Sequence, residues 1–177
     1  MNSKPFDLKN IRNRVIELCQ IYPHELKDHP GQWREHNEYQ ANALAGVLRE
    51  IGQAGALLVW KSEREGGALT TWDGHLRKSL DPNLKWPVLI TDLDDAEADY
   101  MMAVYDPLTA LAKADRAALD ALLSSVRPGE AAVQQMLSDI VNREQLYPPA
   151  ESPEYNEPVE SETEYIECPS CGHKWPR

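Results

Sequence analysis

The stretch Ala68-Leu69-Thr70-Thr71-Trp72-Asp73-Gly74-His75-Leu76-Arg77 runs from an apolar segment through a glycine into a basic step. Ala68 to Trp72 has the composition of a strand, and the residues after Gly74 lead into a short helix. Upstream, Ala56 to Lys61 is a second short apolar run, and the polar Glu63 to Gly67 between the two makes them a hairpin. Before it, Glu38 to Ile51 places Leu44, Val47, Leu48 and Ile51 at helical spacing, closed by Gly52. Downstream, Trp86 to Leu93 reads as a third strand, with Pro87 at its start where a missing donor is tolerated.

Outward from this centre the pattern is helical. Ile11, Val15, Ile16, Leu18 and Cys19 suggest a helix stopped by Tyr22-Pro23. Asp94-Asp95-Ala96-Glu97 has the acidic composition of a helix start, and that helix is expected to reach about Val104. Pro107 is expected to open a further helical stretch, followed by helices over Asp115 to Ser125 and from Glu130 to about Leu146. Residues 148–165 carry four prolines and repeated glutamates, the composition of a linker. Trp60, Trp72 and Trp86 fall on strands and read as core, whereas Trp33, beside Arg34 in a loop, is the better stacking candidate.

The chain has 177 residues, with 18 Lys and Arg against 29 Asp and Glu, a formal charge of −11. Hydrophobic residues make up 42%, enough for a packed core, so wholesale disorder is excluded. An acidic chain lacks the many cations needed to displace phosphate counterions, which excludes general nucleic-acid packaging but leaves local phosphate binding open. Met1 to Asn10 has no apolar core of a signal peptide, and no window approaches a membrane span. With only three cysteines, a reducing cytoplasm is the expected compartment.

Asp73-Gly74-His75-Leu76-Arg77 is also the candidate site. A glycine between strand and helix lets backbone donors face outward, and Arg77 offers a planar fork to a phosphate. His75 is a candidate acid, base or metal ligand. The same five residues also suit an ordinary turn, with glycine supplying a positive φ.

The order of these pieces resembles the N-terminal domain family of ParB and sulfiredoxin, often labelled ParB-like nuclease domains. The resemblance covers roughly residues 20–106. It is carried by His29-Pro30-Gly31-Gln32-Trp33-Arg34, the helix with Gln40, Leu44 and Leu48, the turn Asp73 to Arg77, Trp86-Pro87-Val88, and Asp92-Leu93-Asp94-Asp95-Ala96-Glu97. It implies an α+β fold, a small mixed sheet flanked by helices, to which the residue pattern adds a helical C-terminal extension and a flexible tail. The expected divisions are 1–106 for the domain with its N-terminal helix, 107–147 for the extension, 148–167 for an acidic linker and 168–177 for the tail. By resemblance, Arg34, Asp73, Gly74, His75 and Arg77 line a nucleotide or phosphate site, with a nucleoside triphosphate and Mg²⁺ as implied ligands and His75 as the catalytic residue.

The His-and-single-Arg turn, with Asp106-Pro107-Leu108, looks like the ParB-like domains of phages and mobile elements found beside DNA methyltransferases. It implies DNA modification, processing or partitioning, by a nuclease or nucleotide hydrolase. Three departures bear on this. Val104-Tyr105-Asp106-Pro107-Leu108 stands where partitioning members carry a Glu-Asn-x-x-Arg-type motif, and Asp106 reads there as a metal ligand or a helix cap. The helices after residue 115 lack a basic recognition face. Sulfiredoxins need a cysteine in the phosphate turn; position 75 is histidine.

At the C-terminus, Cys168-Pro-Ser-Cys171-Gly172-His173 has the spacing of one zinc knuckle. Cys168, Cys171 and His173 are its candidate ligands. Four are needed, with Cys19, another histidine or a second chain open as the completion; a vestigial knuckle and a zinc shared across a homodimer are the leading readings. A non-catalytic adaptor that docks a protein partner through the helical extension is the alternative function, and a small-molecule kinase or ATPase a third.

Overall fold

The computed structural model describes residues 9–147 and 165–176. They fall into two units, the first reaching Leu146 and the second beginning at Tyr147. The first is a mixed α+β structure built on a five-stranded sheet. Its strands are β1 (Val15–Ile21), β2 (Lys27–Asp28), β3 (Leu57–Ser62), β4 (Ala68–Asp73) and β5 (Trp86–Thr91), in the order β1-β5-β3-β4-β2. The β1–β5 and β3–β4 pairs are antiparallel, and β3–β5 and β2–β4 are parallel. Five helices complete the chain order: α1 (Glu38–Ile51), α2 (His75–Leu80), α3 (Asp95–Ala110), α4 (Arg116–Ser125) and α5 (Ala131–Arg143).

Strand periodicity divides the core between the two faces of the sheet. Leu57 and Val59 of β3 pack with Trp86, Val88 and Leu26, against Leu48 of α1. Trp60, from the other face of β3, packs with Trp72, and with Ala98 and Met102 of α3. Successive strand residues face opposite sides, so one central strand serves both layers. Trp60, Trp72 and Trp86 are all buried, as the sequence suggests. The Trp60 indole N–H donates to Asp95 (2.8 Å), which also accepts from Ser62 Oγ (2.7 Å) and the Arg64 amide (2.9 Å). The first turn of α3 is thereby tied to the sheet.

The N-terminal helix expected over residues 11–19 is instead the edge strand β1. Val15, Ile16 and Ile21 are β-branched and favour a strand, and β5 supplies the antiparallel ladder. Arg14 pins its start, reaching Glu97 and the Asp92 carbonyl. This pairing lowers the Glu97 carboxyl to about 2. Pro107 does not open a new helix either, since α3 continues through it to Ala110. Proline removes one intrahelical donor, and the side chain of the preceding Asp106 pairs with Arg34 (2.7 Å). The 106/107 division therefore falls inside a helix.

Beyond α3, α5 folds back onto α1. Gly46 meets Val133 so closely that an added Cβ would lie 2.8 Å from its Cγ2, and Arg49 forks onto Glu130 (2.6 and 2.9 Å). The linker expected over 148–167 lies outside the described residues except for its last three, which form a strand. Among the described residues, no helix is long and apolar enough to cross a membrane.

Candidate functional site

A cleft of about 240 Å³ gathers residues from four parts of the first unit. The loop before α1 contributes Gln32, Arg34 and His36, and α1 itself Gln40 and Leu44. The end of β4 and the start of α2 contribute Trp72 and Asp73 through Arg77, and α3 contributes Met102 and Asp106. Arg34, Asp73, Gly74, His75 and Arg77, expected at one site from the sequence, thus line one cleft. Asp106 joins them as Arg34's partner rather than as a helix cap.

Gly74 takes φ +100° and ψ 19°, the left-handed conformation, immediately before α2. An added Cβ would lie 2.5 Å from Leu57 Cδ2 and 3.1 Å from the Arg77 guanidinium. Glycine is required here by both backbone and space. The amides of His75, Leu76 and Arg77 precede the first intrahelical bond, from the Lys78 N–H to the Gly74 carbonyl (3.0 Å).

Both arginines are fixed by acids within the fold. Arg77 donates to Asp73 Oδ2 (2.9 Å) and to the Ala56 carbonyl (2.9 Å), which ties α2 to the entry of β3. Arg34 pairs with Asp106 and lies over the Trp33 ring, 5.0 Å from its centroid. Trp33 is exposed, so the pair forms one wall of the loop. The cleft thus holds two guanidinium groups whose charges are balanced by two carboxylates, all four partly open to solvent.

His75 is half-buried, and its Nε2 is shielded from solvent with no hydrogen-bond partner. Burial holds its pKa below the ordinary 6.5, against the pull of Asp28 and Asp73. Nearby His29 is buried; its Nδ1 accepts from the Gly31 amide (2.9 Å). Its Nε2 lies 3.0 Å from Asp99, out of line for a hydrogen bond. Burial also lowers the His29 pKa.

Unfolded, both imidazoles take up a proton near pH 6.5; folded, both resist it. Stability is therefore complete above that pH and falls as the solution is acidified toward their folded values. The thermal unfolding midpoint is expected to drop between about pH 7 and about pH 5, less steeply in His75→Gln than in the parent chain. An unchanged slope in that variant would remove His75 from this account.

No family model matches the chain, and no curated protein matches it. Among solved structures, it is similar to the C-terminally truncated chromosome-partitioning protein ParB from Caulobacter crescentus complexed with CTP-γ-S. That likeness has a TM-score of 0.49 and 20% identity, covering 61% of this chain and 60% of that one. The same truncated ParB complexed to the centromeric parS site gives a TM-score of 0.40 at 18% identity, over 68% of this chain and 65% of that one. A Pnob8-like ParB-N domain gives 0.38 at 15% identity, over 92% and 59%. The chain spans less than two thirds of each of these structures.

In the second unit, Cys168 and Cys171 lie in the turn of a small hairpin, and His173 stacks beside Trp175 with ring centroids 6.2 Å apart. Among the described residues, no three His, Cys, Asp or Glu side chains converge as a metal site. The acids Asp92, Asp94, Asp95 and Asp99 are accounted for otherwise. Asp94 caps α3 through the Glu97 amide, while Asp92, Asp95 and Asp99 engage Arg14 and Arg64. Sequence reasoning missed the Arg34–Asp106 pair, which has no local signal. It also missed Asp73–Arg77, whose i,i+4 spacing was readable.

Proposed function

We propose that this cleft binds the phosphate of a nucleotide or nucleic acid, with Arg34 and Arg77 as its cations. The observation that carries this reading is their convergence, from separate parts of the chain, on one cleft whose turn leaves no room for a side chain at Gly74. Guanidinium forks match phosphate oxygens in pairs, and acid partners partly open to solvent are weak competitors. Binding is an exchange of partners. The arginines turn from Asp106 and Asp73 to phosphate oxygens, and those two carboxylates would be the residues to hold a Mg²⁺ accompanying a triphosphate, where the ion would neutralise phosphate charge.

His75 is the acid or base of any phosphoryl chemistry at this site, since burial keeps its imidazole neutral near pH 7 and its Nε2 has no partner within the fold. Within this reading the chain serves DNA modification, processing or partitioning in a phage or mobile element, beside a DNA methyltransferase. Its support is the Asp-Gly-His-Leu-Arg turn followed by Asp106-Pro107-Leu108, together with an acidic composition that leaves the grip on DNA to a partner.

The test is thermal unfolding against CTP, ATP, GTP and short duplex DNA, each with and without Mg²⁺. A ligand at one hundred times its dissociation constant adds about 2.7 kcal/mol to native stability. Asp106→Asn frees Arg34 and is expected to tighten binding of the metal-free ligand about two- to fivefold, the worth of a partly exposed ion pair. Metal-dependent turnover lost in His75→Ala would add catalysis. Absence of any shift sinks the phosphate reading.

A second reading, a docking module, is favoured by one observation. Helix α4 buries none of its residues and leaves Leu122 exposed, as are Leu108 and Leu111 at the end of α3. Partner binding unaffected by Arg77→Ala would select it.

A further inference from the structure

The second unit ends in a hairpin of two three-residue strands, β6 (Tyr165–Glu167) and β7 (Lys174–Pro176), in antiparallel register. A two-stranded hairpin this short has no core and is marginal in water on its own. Its turn is nonetheless closely specified. The Cys168 amide donates to the His173 carbonyl (2.9 Å), and the Gly172 amide returns to the Cys168 carbonyl (2.9 Å), with Gly172 at φ +74°. Paired backbone bonds and a left-handed glycine thus hold two cysteines, three residues apart, in one tight turn, the arrangement that presents two thiolates to a metal ion.

Two thiolates fill half of a tetrahedral zinc's four positions, and the other cysteine and histidines of the chain have surroundings of their own. It has one more cysteine and five histidines in all, and residues 148–164 contain neither type. Cys19 sits on β1 with its sulfur toward the Val88 carbonyl, packed on the sheet core. His24 stacks on Tyr22, His36 pairs with Gln40, and His29 and His75 belong to the sheet and the cleft. His173 lies against Trp175.

The hairpin also carries an uncovered apolar face. Ile166 and Trp175 are cross-strand partners, so they project to one side, and both are exposed. A two-fold axis through the ion would supply two further thiolates identical to the first pair, and would give this face a copy of itself to pack on.

We propose that Cys168 and Cys171 from two copies of this chain hold one Zn²⁺ in a four-thiolate site, so that the C-terminal hairpins form a zinc-dependent homodimer. Four thiols give up four protons to solvent as the ion binds, with no change of oxidation state.

The test uses the full chain, purified in reductant without chelator. Zinc content is read by elemental mass spectrometry, molar mass by light scattering, and coordination by the absorption of the Co²⁺-substituted protein. The expected result is one zinc per two chains, a dimer that chelator converts to monomer, and Co²⁺ bands of a tetrahedral tetrathiolate. Cys171→Ser is expected to lose zinc and dimer together while the main thermal transition of the first unit stays in place, which separates loss of the site from misfolding. Cys19→Ser is expected to keep both. One zinc per monomer, no zinc in the reduced chain, or loss of zinc in Cys19→Ser would each overturn the shared site.

Discussion

Gly74→Ala is expected to lower the unfolding free energy by about 2–4 kcal/mol, the sum of a left-handed backbone and an overpacked contact. The Cβ would press on Leu57 Cδ2 at 2.5 Å, and Leu57 is fully buried in the sheet core. Leu57 cannot retreat without disturbing Val59 and Trp86, its neighbours in the same cluster. The Arg77 guanidinium, 3.1 Å from the same Cβ, would also have to move. Denaturant titration reads the loss of stability. A change within about 0.5 kcal/mol, the range of an ordinary surface substitution, would mean that the turn is not constrained as described.

Arg77→Ala is expected to weaken binding of a nucleoside triphosphate about ten- to a hundredfold, the worth of a charge-assisted hydrogen bond pair. The side chain has two employments, since it also donates to the Ala56 carbonyl and to Asp73. Some stability is therefore lost as well, and calorimetry has to be run below the unfolding transition of the variant. Arg77→Lys separates the two contributions. Lysine keeps the charge without the planar fork, so its affinity should fall between those of Arg77→Ala and the parent chain. Equal affinity in all three would exclude Arg77 from the phosphate contact.

The hairpin β3–β4, the helix α1 and the strand β5 were legible because burial imposes a clean period on each. Leu57 and Val59 alternate with Leu58 and Trp60, and Leu44, Val47 and Leu48 repeat at helical spacing. Edge strand β1 was not legible, because it is covered on few of its positions. Ile16 and Leu18 are exposed while Cys19 and Ile21 pack inward, so alternation is blurred and the apolar residues also fit a helix. The two-residue β2 carries no period at all; its parallel pairing with Thr70 and Thr71 is decided by the path of the chain.

The site shows the same division between local and distant information. Gly74, His75 and Arg77 are neighbours in sequence, and their grouping follows from one turn. Arg34 and Asp106 are far apart in the chain, and their ion pair depends on the α1 loop meeting α3 across the second core layer. The sequence identifies the cations of the cleft; only the fold shows that each already has an acid.

The most direct test of the phosphate cleft is amide chemical-shift mapping of the full chain during a triphosphate titration with Mg²⁺. The expected result is saturable shifts concentrated at residues 73–77, with smaller ones around Arg34 and Asp106, all lost in Arg77→Ala. Saturable shifts confined to other surfaces, such as α4 or the C-terminal hairpin, or no shifts at all, would contradict the account.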